Sequence, residues 1–206
     1  MQNNKKYRHR KNCIEGKDRK ECESKKSYFK VCLLTICILL GQGIAVSAAK
    51  TPVAAHGRLS VKGVDLIDAK GKKFQLRGIS SHGINWDVGA PYVNKASFKT
   101  LRDDWGVNAV RLAMYTSEYN GYCAGGNKEN LKKQVRNGVK YATDLGMYVI
   151  IDWHILKDGN PKKQLKEAKS FFDTMSVQYK NQKNVIYEIC NEPNGCSWNT
   201  IRDYAE

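Results

Sequence analysis

From residue 74 onward, short apolar runs alternate with longer stretches whose apolar residues recur every three or four positions. Phe74–Ser80, Ala109–Met114 (AVRLAM), Tyr148–Asp152 (YVIID) and Val185–Ile189 (VIYEI) read as strands. Between them lie helical patterns. Asn94 caps a helix carrying Phe98, Leu101 and Trp105 and ending at Gly106. Asn127–Leu145 places Leu131, Val135, Val139, Ala142 and Leu145 on one face and stops at Gly146. Pro161–Tyr179 keeps Leu165, Ala168, Phe172 and Met175 in register, and Ser197 caps a fourth helix. The strands start near 74, 109, 148 and 185, at spacings of 35, 39 and 37 residues. Units of that length imply parallel strands joined by crossover helices. Ahead of them, residues 59–71 alternate, break at Gly63 and read as a small hairpin.

Four such units fit the start of a barrel or a doubly wound sheet. No G-x-G-x-x-G follows the first strand and no phosphate-loop signature is present, which argues against a nucleotide fold.

The first 49 residues differ in kind. They hold 11 Lys+Arg against 4 Asp+Glu, then the apolar run Val31–Leu40, then Val46-Ser47-Ala48. A basic start, an apolar core and a small-residue end form a secretory signal peptide, with cleavage expected after Ala48 or Ala49. The alternative is an uncleaved membrane anchor, although Gly41-Gln42-Gly43 cuts the run short of the ~20 residues a span needs. The expected organisation is a signal peptide over 1–49, a linker over 50–57 and one folded region over 58–206. The protein is then secreted and extracellular, without membrane attachment after cleavage.

The net charge of +15 is shared between this leader, at +7, and the remainder, at +8. The remainder mixes signs over helix surfaces, so nucleic acid is not the expected partner. Of seven cysteines, Cys13, Cys22, Cys32 and Cys37 leave with the leader. Cys123, Cys190 and Cys196 remain, and export permits one disulfide plus one free thiol. Zinc ligation by Cys190 and Cys196 lacks a histidine at ligand spacing. No metal and no organic cofactor is implied.

Chemistry-bearing residues cluster where strands end: His82 and Trp86 after the first, Arg111 and Tyr115 at the second, Asp152, Trp153 and His154 at the third, Asn191, Glu192 and Pro193 at the fourth. In parallel α/β folds those ends converge on one face, where active sites sit. Glu192 is the candidate acid/base group. Taken singly, Glu192 also reads as a solvated loop carboxylate, Arg111 as half of a structural ion pair, and His154 as a core histidine. Trp86 and Trp153 read as core or as sugar-stacking platforms. Asp152 and Glu188, within strands, read as structural.

The combination of Arg77-Gly-Ile-Ser-Ser-His-Gly83, Tyr92-Val-Asn-Lys95, Leu101-Arg-Asp-Asp-Trp-Gly106, Met114-Tyr-Thr116, Asp152-Trp-His154 and Asn191-Glu-Pro193 resembles glycoside hydrolase family 5, above all secreted bacterial endo-β-1,4-glucanases. The likeness runs over residues 51–206. It implies an α/β fold of the (β/α)₈ TIM-barrel type, of which this chain holds roughly the first four βα units plus the hairpin. It implies retaining hydrolysis of cellulose and related β-1,4-glucans by two carboxyl groups. Glu192 matches the acid/base. Asn191 matches a residue bonding the sugar 2-OH, and Arg111 matches the arginine that holds the nucleophile ionised. His154, His82, Trp86 and Tyr115 match residues that line the substrate cleft. The family's nucleophile is a glutamate on the seventh strand, and the chain ends at Glu206, after the fourth. The resemblance therefore implies an incomplete catalytic domain without its nucleophile, inactive by itself, with open sheet edges that invite self-association. Cys190 and Cys196 depart from the family pattern. Competing readings are a silent carbohydrate-binding fragment and a related β-mannanase or xylanase.

Overall fold

The computed structural model describes residues 50–206. The expected signal peptide and its four cysteines lie outside them. Among the described residues no helix is long and apolar enough to cross a membrane.

Residues 50–57, expected as a linker, instead carry a helical turn, α1 (Pro52–His56). Thr51 caps it and Pro52 opens it, a local start signal in its own right. The Val53 N–H donates to the Gly146 carbonyl and the Tyr148 hydroxyl to that of Gly57, tying the turn to the sheet. A two-stranded hairpin follows, β1 (Ser60–Lys62) with β2 (Asp65–Ile67), turning at Gly63, where φ is 61°.

The main sheet is parallel and ordered β3 (Gly78–Ser80), β4 (Ala109–Tyr115), β5 (Tyr148–His154), β6 (Val185–Glu188). The first strand begins at Gly78 rather than Phe74. The side chain of Asn108 explains this. It accepts from the Arg77 N–H at 2.8 Å and donates to the Gln75 carbonyl at 2.9 Å, taking bonds a neighbouring strand would otherwise make. Phe74 packs against His56 and the edge of Tyr148 instead.

The helices between the strands are α2 (Lys95–Asp103), α3 (Lys128–Asp144) and α4 (Leu165–Tyr179), with α5 (Trp198–Ala205) after β6. Asn94 and Ser197, expected as caps, each accept a backbone N–H three residues on, and so does Asn127. Two expected core residues move. Trp105 lies beyond the end of α2 and is 69% exposed. In α4 the deeply buried ring is Phe171, because Ala168, Phe171 and Met175 complete the three-four spacing, while Phe172 is only partly covered.

Strand periodicity divides the sheet into two faces. Val110, Leu112 and Met114 of β4 and Val149, Ile151 and Trp153 of β5 join Leu131, Val135, Val139, Phe171 and Met175 of the helices in one core. The indole of Trp153 lies 5.4 Å from Phe171 and 5.2 Å from Tyr122. Fully burying a side chain of this size contributes roughly 2–3 kcal/mol. The alternate positions, Arg111, Ala113 and Tyr115 beside Ile150, Asp152 and His154, form the opposite face. Among the described residues β3 and β6 are the edges of this sheet. This is the parallel strand and helix arrangement of part of an α/β barrel.

Candidate active site

Parallel strands bring their carboxyl-terminal ends to one side, and the register fixes what meets there. Arg111 on β4 pairs in register with Ser80 on β3 and Ile150 on β5, and Asp152 on β5 with Glu188 on β6. Arg111 is the hub. Its Nε donates to Glu188 Oε2 at 2.7 Å and its Nη2 to Glu188 Oε1 at 2.6 Å. The same Nη2 lies 3.1 Å from Asn191 Oδ1 and 3.0 Å from Asp152 Oδ2, and Nη1 reaches Ser80 Oγ at 3.3 Å. One guanidinium on β4 thus touches groups from the three other strand segments. The Glu188 carboxylate holds it firmly charged.

Asp152 and Glu188 were read as structural residues within strands. The structure brings both into the Arg111 cluster, a placement that the register of three strands decides and no single segment reveals.

His154 ends β5 with its Nδ1 2.6 Å from Asp152 Oδ2. Burial raises the pKa of Asp152, with the bond to His154 opposing the shift. Asn191 is buried. Its amide nitrogen donates to the Ile155 carbonyl at 3.0 Å, which leaves its Oδ1 to Arg111.

Next to this cluster runs a row of rings. His82 and Trp86 are 5.3 Å apart between centroids, Trp86 and Tyr115 4.5 Å, Tyr115 and His154 4.0 Å. Burial raises the pKa of the Tyr115 phenol. The row comes from three successive strand ends. Asn85, not singled out in the sequence, holds two of them together. Its Oδ1 accepts from the Tyr115 N–H at 2.9 Å, and its Nδ2 donates to the Tyr115 and Asn120 carbonyls. Trp86 Nε1 donates to the Tyr119 carbonyl at 2.7 Å, which fixes the indole plane.

Glu192 follows Asn191 with φ at 34°, one of two non-glycine residues at positive φ among the described residues. Its side chain is exposed and stands outside the Arg111 cluster. The Asn194 amide donates to the Glu192 carbonyl at 2.9 Å. Six of the seven sequence-predicted site residues, His82, Trp86, Tyr115, His154, Asn191 and Glu192, thus lie at or beyond the strand ends, and Arg111 reaches them from within β4.

Cys123, Cys190 and Cys196 are free thiols, and burial raises the pKa of both Cys123, to about 11, and Cys190. Among the described residues no group of three or more His, Cys, Asp or Glu is placed to hold a metal ion.

The sequence profile of the family described as cellulase, glycosyl hydrolase family 5, matches residues 67–206. The chain belongs to glycoside hydrolase family 5. Endoglucanase A of Butyrivibrio fibrisolvens is 52% identical over 153 residues, covering 73% of this chain and 35% of its own. Endoglucanase 5 of Pectobacterium carotovorum is 48% identical over 179 residues, covering 85% of this chain and 34% of its own. The crystal structure of the catalytic domain of Thermobifida fusca endoglucanase Cel5A superposes with a TM-score of 0.71 at 40% identity, over 76% of this chain and 50% of that one. A variant of that domain in complex with cellotetraose gives 0.70 at 39% identity. The family 5 chain thus spans about a third of these curated relatives and half of the solved catalytic domain.

Proposed function

We propose that residues 58–206 form one wall of a β-1,4-glucan cleft and that Glu192 is the acid/base group of a retaining hydrolysis. The observation that carries this is the ring row from His82 to His154, lying beside a strand-end glutamate that the neighbouring arginine leaves free. Sugar rings stack on such faces. Glu192 protonates the glycosidic oxygen as the bond breaks, then takes a proton from the water that releases the sugar. Arg111 fixes Asn191 so that its side chain meets the sugar 2-OH. The cellotetraose bound to a solved relative supports a glucan over mannan or xylan.

A retaining pair needs a second carboxyl group about 5–5.5 Å away. Glu188 and Asp152 are committed to Arg111, and Glu118 accepts from the Lys157 N–H and pairs with its Nζ at 3.0 Å. In this reading the nucleophile comes from outside the described residues. The 206-residue chain alone binds glucan and turns it over little. The leader is read as directing export, and N-terminal sequencing of protein from culture supernatant would find Lys50 or Ala49 first.

The test uses the full chain and its Glu192→Gln variant. Cellotetraose binding is followed by tryptophan fluorescence, and carboxymethylcellulose hydrolysis by reducing ends. Binding by both proteins, with any hydrolysis lost in the variant, is the expected result. No binding, or hydrolysis that survives Glu192→Gln, would overturn the proposal. Full turnover abolished by Glu192→Gln would keep Glu192 and overturn only the external nucleophile.

A further inference from the structure

We infer that Asp152 is a positioning residue that holds His154 in the tautomer whose Nε2 accepts a hydrogen bond from a hydroxyl of the bound glucan. The inference rests on the glucan reading above, but the part about the tautomer stands on geometry alone.

Asp152 is fully buried in the middle of the sheet, in register with Ala113 on one side and Glu188 on the other. A carboxyl in such a place is costly unless strong donors meet it. Its two oxygens are treated differently. Oδ2 receives both contacts, from Arg111 Nη2 at 3.0 Å and from His154 Nδ1 at 2.6 Å, whereas Oδ1 is buried without a hydrogen-bond partner.

The Arg111 Nη2 hydrogens go to Glu188 and Asn191, so its 3.0 Å approach to Oδ2 is an ion-pair contact that places positive charge against that oxygen. A proton on Oδ2 would point into that contact. Any proton Asp152 takes up as its environment resists ionisation therefore belongs on Oδ1. In either protonation state Oδ2 accepts from His154, and Nδ1 carries the hydrogen. A neutral imidazole with Nδ1–H presents Nε2 as an acceptor. Nε2 has no partner among the described residues, and the ring is held 4.0 Å from Tyr115 at the end of the ring row. Glucose hydroxyls are donors that such a nitrogen can take.

Arg111 does not need Asp152 to stay in place, because Glu188 binds it through two bonds. The two roles can therefore be separated by substitution. In Asp152→Asn the amide oxygen can occupy the Oδ2 position and accept from His154, preserving the tautomer. Asp152→Val keeps a similar volume and removes the acceptor.

The test is a long-range proton–nitrogen spectrum of the full chain labelled with ¹⁵N-histidine, at a pH where the imidazoles are neutral. His154 is assigned by the loss of its signals in His154→Gln. The expected result is the Nδ1–H form in the wild type and in Asp152→Asn, and a mixture in Asp152→Val. Cellotetraose affinity should stay within about threefold in Asp152→Asn and fall about tenfold in Asp152→Val, the effect of one lost hydrogen bond. An Nε2–H form in the wild type would overturn the inference, and needs neither Asp152 variant to fold. So would an affinity that falls equally in both variants, the outcome of a merely structural role. If the wild type binds no cellotetraose, the glucan reading fails while the spectrum still decides the role of Asp152.

Discussion

Arg111 and Glu188 sit on strands that are not neighbours, and they join across β5 through two bonds of 2.6 and 2.7 Å. The pair ties both flanking strands over the strand that carries Asp152. Glu188→Gln keeps the shape but loses a charge-assisted acceptor. We expect a loss of about 2 kcal/mol, since bonds to charged groups are worth roughly 1.5–3 kcal/mol. Arg111→Lys should cost a similar amount, because an ammonium cannot reproduce the planar fork. Urea unfolding midpoints measure both, and a shift below experimental error in either would show the pair to be energetically idle.

Trp86 is half-buried, with Tyr115 on one side and its Nε1 bonded to the Tyr119 carbonyl. Trp86→Ala should lower cellotetraose affinity about tenfold or more, by removing one of the two inner rings of the row. Trp86→Phe keeps a ring but not the bond that sets its plane, so an intermediate loss is expected. Titration calorimetry would rank the three proteins. An unchanged affinity in the alanine variant would place the sugar elsewhere.

Gly89 lies under the loop that carries His82 and Trp86. A Cβ there would fall inside contact distance of the His82 and Gly83 carbonyl oxygens, which belong to backbone and cannot turn aside. Gly89→Ala should therefore destabilise by about 1–3 kcal/mol and disturb the ring row together. Thermal unfolding and near-ultraviolet circular dichroism report the two effects. A variant as stable as the wild type would show that the loop rebuilds freely.

Asp68 offers a pH signature away from the site. It is buried against His56 at 2.9 Å and accepts the Lys70 and Lys72 N–H groups. The bond from His56 leads in lowering its pKa to about 2, from an ordinary value of 3.8. A carboxyl depressed on folding stabilises the fold above its unfolded pKa and loses that effect as pH falls through the folded one. The wild type should therefore exceed Asp68→Asn in melting temperature above pH ~4, and the gap should close as the pH drops toward 2. A gap that is constant with pH would remove the carboxylate from the explanation.

Much of this was legible in the sequence because local signals agreed with the fold. The caps Asn94 and Ser197, the glycine stops and the apolar runs all work within a few residues of themselves. The strand-end residues were legible for a different reason: parallel topology converts position along a strand into position in space. What escaped depended on distant partners. The late start of β3 is set by Asn108, 31 residues from Arg77, whose N–H it receives. The clamp formed by Asn85 depends on a backbone 30 residues away. Asp152 and Glu188 looked structural singly, and only the register over three strands shows that they share one guanidinium. The turn at 52–56 is the exception, since Thr51-Pro52 announced it locally beside a stretch otherwise suited to a linker.

The left-handed backbone of Glu192 sets chemistry against folding. A side chain at that angle costs roughly 1–2 kcal/mol relative to glycine, and the following proline narrows the choices further. Glu192→Gly should therefore leave a chain at least as hard to melt as the parent, with no carboxyl to offer a sugar. Glycine would be the less strained residue at this corner, so under the proposed acid/base role the glutamate is where a weaker fold is exchanged for an aimed proton donor.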